Sequence, residues 1–188
     1  MSPLEIEKRL YACDLLRQRN LDDFRAHGVP PASIFMPDLV MRAGVHFDAP
    51  WRGCFEFASD ANDSESVDEA FIFVARHTDG EISDLVAWTP ATGQIASWLG
   101  NAALLGAECA LRPRLGEGLP VHRTPLAWLQ AERNGIVIVD QVEAADLLYA
   151  SAPLIVTERD HAAHLRRSLA RPAPRILIAP SSKFARAA

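Results

Sequence analysis

Apolar positions along this chain change period repeatedly, and each change predicts a different kind of element. Across residues 4–19, Ile6, Leu10, Cys13 and Leu16 recur three or four apart, the spacing of one helix face. Asn20 is placed to cap a second helix that buries Leu21 and Phe24 and stops at Gly28. Val29-Pro30-Pro31 and Met36-Pro37 then predict an extended connector, because a residue before proline avoids the helical region.

From Arg52 to Thr89 the period is two. Residues 54–57, 71–76 and 82–88 read as strands, and Asp79-Gly80 between the last two is a hairpin signal. The expectation is an antiparallel meander, with residues 59–69 as a polar loop between its first two strands. Thr92-Gly93 opens a stretch in which Ile95, Trp98, Leu99, Ala102 and Leu105 predict a helix ending near Cys109. Proline and glycine make residues 112–120 a loop. Thr124-Pro125 is a cap followed by proline at the first helical position, and that helix ends at Asn134-Gly135.

The last third alternates. Residues 136–139 are an apolar run ending at Asp140, residues 141–151 are helical in pattern, and residues 154–157 repeat the run, ending at Glu158. Residues 159–170 are helical again, and residues 175–179 close the set with a third apolar run. Apolar runs alternating with amphipathic helices predict parallel strands buried on both faces, with 136–139 and 154–157 as neighbours. The fold class is therefore α/β in a mixed α+β arrangement, one domain over residues 1–188. It has a helical N-terminus at 1–28, antiparallel strands at 52–89 and a βαβαβ region at 124–180.

Composition narrows the class. At 188 residues, 49% apolar and 23% charged, the chain fits a soluble globular protein. No apolar stretch approaches the roughly 18 residues that cross a bilayer. The charged N-terminal residues do not read as a secretory signal. Cys13, Cys54 and Cys109 are odd in number and lack the spacing of a zinc site or disulfide framework, so the expected location is cytoplasmic with reduced thiols. Arginine outnumbers lysine 17 to 2, which fits a GC-rich coding sequence. Charge is also segregated. Residues 56–84 hold nine acids against Arg76 alone, and residues 159–188 hold seven bases against Asp160 alone. A net charge of −5 argues against general nucleic-acid binding.

Candidate chemistry sits where parallel strands end, since ligands of open α/β sheets bind outside the carboxyl ends. Asp140, Glu158 and Asp160 would share that edge, and clustered carboxylates of this kind can hold Mg²⁺. An acid at a strand end is also a common helix cap, and capping is the favoured reading of Asp140 and Glu158. Glu158, His161 and His164 match no complete metal template, so the histidines read as solvent-facing. The loop from Asp60 fails as an EF-hand, because Glu65 stands where glycine is required and Phe71 where the bidentate glutamate belongs. Neither a phosphate-binding P-loop nor a G-x-S-x-G elbow occurs in the sequence.

These failures favour a non-catalytic binding or interaction protein with no resident cofactor. Its expected partner is another protein or a second copy, with no membrane involved. The expected surface comprises Asp60, Asp63, Glu65, Asp68 and Glu69 on the acidic side, and Arg166 and Arg167 on the basic side. The alternative is a magnesium-dependent enzyme acting on nucleotides or nucleic acid through Asp140, Glu158 and Asp160. A third reading is a homo-oligomeric assembly subunit whose unlike charged surfaces meet.

Overall fold

A computed structural model describes residues 1–47, 54–59, 67–110, 118–149 and 153–170. The expected strand at 175–179 and most of the expected acidic and glycine-rich loops lie outside the described residues.

Three helices open the chain. Helix α1 (Pro3–Tyr11) starts where the Ser2 N–H donates to the Glu5 carboxylate at 2.7 Å, and it buries Ile6 and Leu10 one turn apart. It is shorter than the expected 4–19, because the backbone turns out at Asp14 to bridge Arg42. Helix α2 (Gln18–Ala26) contains Asn20 rather than being capped by it. Asn20 Oδ1 accepts the Arg17 N–H at 3.0 Å from inside the first turn. The expected extended connector contains a short helix, α3 (Pro31–Phe35). Pro30 at the cap and Pro31 at the first helical position need no N–H partner there, so the prolines start this turn of helix before the cis Met36–Pro37 bond.

The first sheet has five antiparallel strands in the order β2-β1-β3-β4-β5. They are β1 (Met41–His46), β2 (Glu56–Phe57), β3 (Asp68–Arg76), β4 (Ile82–Trp88) and β5 (Ile95–Ser97). The expected first and second strands are therefore not adjacent, because β1 lies between them. The Asp79-Gly80 hairpin forms as expected, with Gly80 at φ +94 and the His77 N–H donating to the Glu81 carbonyl at 2.8 Å. Strands β3 and β4 are buried on both faces. Phe73, Ala75, Val86 and Trp88 face α2, α3 and the second sheet, while Ile72, Val74, Leu85 and Ala87 face α1.

The second sheet has the order β6-β8-β7-β9, from β6 (Leu104–Leu105), β7 (Leu119–His122), β8 (Ile136–Ile138) and β9 (Leu154–Ile155). Strands β5 and β6 occupy the stretch expected to be one helix. Strand β7 corrects the other expectation. It runs parallel to both β8 and β9 and separates them, so the two runs read as neighbours are not paired. Helix α4 (Pro125–Gln130) precedes β8, with the Thr124 hydroxyl accepting the Ala127 N–H at 3.2 Å as the cap. Helices α5 (Gln141–Leu148) and α6 (Arg159–Ser168) cover the outer face, where Ala144, Leu148 and Leu165 pack on Leu104, Leu119, Val121 and Ile136. The inner face contributes Leu105 and Val137 to the core shared with the first sheet. The result is a mixed α+β fold of two sheets and flanking helices.

Candidate functional site

The carboxyl ends of β7 and β8 open into a cleft of about 470 Å³. Strand β7 delivers His122 and Arg123, and β8 leads through Val139 to Gln141 at the start of α5. Helix α6 supplies the other wall with Asp160, His161, His164 and Arg167. The helical period explains this wall. Leu165 is buried against the sheet, and His161, one turn earlier, is drawn part-way in beside it. The expectation that both histidines face solvent is thus corrected for His161, while His164 is exposed.

The cleft mixes both signs of charge. Arg123, Arg167, Asp160 and three imidazoles line it together. Burial pushes His161 below its ordinary value of 6.5, Glu158 opposes that shift, and Arg123, His164 and His122 reinforce it. His122 Nε2–H donates to the Asn134 carbonyl at 2.8 Å, and the Gln141 amide donates to His164 Nε2 at 3.2 Å. Arg123 pairs loosely with Glu158 at 3.4 Å, both side chains being exposed. Arg167 has no side-chain partner among the described residues.

The three strand-end acids take separate duties. The Asp140 carboxylate accepts the N–H groups of Val142 at 2.7 Å and Glu143 at 3.0 Å, and so caps α5. Glu158 occupies the cap position of α6 but makes no side-chain capping bond, because its carboxylate is turned to Arg123. Only Asp160 lines the cleft. Among the described residues, no group of three or more His, Cys, Asp or Glu side chains is disposed to hold a metal ion.

The expected interaction surface is divided in the same way. Asp60, Asp63 and Glu65 lie outside the described residues. Asp68 is half-buried on β3 opposite Val45, and Glu69 binds Arg42 at 2.7 Å and Arg19 at 3.2 Å. Arg166 borders an apolar groove with Leu154 and Leu169, whereas its neighbour Arg167 borders the cleft. Cys13, Cys54 and Cys109 form no disulfide among the described residues, and burial pushes Cys13 up to about 11, away from the thiolate a nucleophile needs. His122 and Arg123 escaped the sequence reading because Pro120 disguised their strand as loop.

Comparison of the chain with family models, with curated proteins and with solved structures found no match. Among the described residues, no helix is long and apolar enough to cross a membrane.

Proposed function

We propose that the protein is a non-catalytic binding protein that holds an anionic oxygen group, such as a sulfate, phosphate or carboxylate carried by its partner, in the cleft at the β7 and β8 strand ends. The observation that carries this reading is Arg167, a guanidinium with no side-chain partner among the described residues, on the same cleft as Arg123 and three histidines. A guanidinium fork binds such anions through paired N–H donors. The N-terminal turn of α6 borders the cleft as well and adds its partial positive charge. With Asp140 committed to capping, binding fits the side chains better than metal-assisted hydrolysis does.

Calorimetric titration with sodium sulfate tests the reading, since sulfate keeps its charge across the imidazole range. Saturable binding is expected, weakened at least about tenfold by Arg167→Glu through loss of a charged hydrogen-bond partner. Sulfate heats that are absent, or unchanged in this exposed-site variant, would sink the proposal.

A further inference from the structure

A second cavity of about 310 Å³, sharing no residue with the cleft, lies between α2, α4 and the first sheet. Its walls include Phe24, Phe71 and Trp88, whose rings form a continuous row of tilted contacts with centroids 4.8 Å and 6.0 Å apart. Arg42 also lines it and is 6% exposed. Two of the guanidinium nitrogens are used, at 2.9 Å from Asp14 and 2.7 Å from Glu69. The third, Arg42 Nε, is buried without an acceptor among the described residues, and so is Trp88 Nε1.

A buried N–H without an acceptor forfeits its hydration and gains nothing in return. Here two such donors belong to side chains of one cavity whose remaining wall is aromatic. We propose that this cavity binds a neutral, planar heteroaromatic molecule with a ring carbonyl, the lactam chemistry of a nucleobase. The ring stacks on Phe71 and Trp88, and the carbonyl oxygen supplies the acceptor that Arg42 and Trp88 lack. Neutrality follows from the local charges. Arg42 is already balanced by Asp14 and Glu69, so it has no charge left for a net anion, which Asp23 on the same cavity would also repel. Asp23, exposed at the mouth, is placed to accept the lactam N–H. The cavity lies at the small end of ligand pockets, which suits one or two fused rings.

The test follows the indole N–H resonances of isotopically labelled full-length protein during titration with hypoxanthine. Indole serves as a flat control of similar size with no carbonyl. Trp88→Phe assigns the Trp88 signal. Ala91→Trp, at an exposed position on the rim, plugs the cavity without touching the core. Hypoxanthine should shift the Trp88 signal saturably and bind about tenfold more tightly than indole, the effect of one acceptor on buried donors. In Ala91→Trp that shift should vanish. A Trp88 signal unmoved by millimolar hypoxanthine would overturn the proposal. Equal binding of indole, or a shift that survives Ala91→Trp, would overturn it as well.

Discussion

Asp84 is a buried acid held by backbone N–H groups. It is fully buried on β4, and its carboxylate accepts the backbone N–H groups of Leu85 at 2.7 Å, Leu99 at 3.0 Å and Asn101 at 2.8 Å. It thereby fixes the turn that carries the chain from β5 toward β6. Asparagine has one acceptor oxygen where the carboxylate has two, so Asp84→Asn turns an amide N–H toward a backbone N–H. The expected cost is about 2 kcal/mol, or roughly 4–8 °C in melting temperature at this chain length. Burial pushes the Asp84 carboxyl above its ordinary value of 3.8, against the pull of those N–H groups. A carboxyl whose folded value is raised contributes stability that is complete below the unfolded value and is lost as pH rises through the folded one. Urea unfolding from pH 3.5 upward should therefore find the gap between wild type and Asp84→Asn largest in acid and narrower toward neutrality. A gap that widens with pH would contradict this account.

Among elements, two glycines set how the second sheet assembles. Gly106 and Gly135 adopt φ +74 and φ +108, and a Cβ on Gly135 would meet the Pro120 carbonyl oxygen. The Gly135 carbonyl also accepts the Trp128 indole N–H at 3.0 Å, which locks α4 to the start of β8. Gly135→Ala combines an unfavourable φ with a backbone collision, so a loss of about 2–4 kcal/mol is expected in denaturant unfolding. Gly80→Ala, with a positive φ but open space around it, should cost about 1 kcal/mol. Equal costs would show that the collision at Gly135 is relieved. Elements with strong local chemistry were legible in the sequence, notably the Asp79-Gly80 hairpin and the Thr124-Pro125 start of α4. Strand β1 was hidden because its interior holds Arg42 and Gly44. Arg42 is buried only by virtue of Asp14 and Glu69, which are distant in sequence. Strand β7 was hidden by Pro120. The ladder from β7 to β8 begins at Val121 opposite Ile136, so the missing proline N–H falls before it.

For the whole molecule, the segregated charge of the sequence is only partly a surface property. Glu69 and Asp84 in the acidic stretch are tied to Arg42 and to backbone N–H groups, whereas Arg167 in the basic stretch has no partner among the described residues. The cleft was legible as a location, since parallel strand ends were expected there. Its occupants were not, because their meeting depends on β7 lying between β8 and β9. Two predictions belong at this scale. Glu158→Gln releases Arg123 from an exposed pair, so sulfate affinity should rise about two- to fivefold, the scale of such pairs. Unchanged affinity would place Arg123 outside the binding site. Sulfate binding should also tighten as pH falls below 6.5, because His161 takes its proton only below that ordinary value. Titrations at pH 7.5 and 5.5 check the direction, and weaker binding in acid would exclude His161 from a role.

The grip of Asp84 on residues 99–101 has a consequence for how this protein can vary over time. The carboxylate reads main-chain N–H groups, which every residue except proline carries. The exposed side chain at Asn101 is therefore open to replacement, whereas Leu99 packs on the core, and Asp84 and the exclusion of proline at both sites are fixed. Descendants of this chain should vary at Asn101 and keep the course of that turn unchanged.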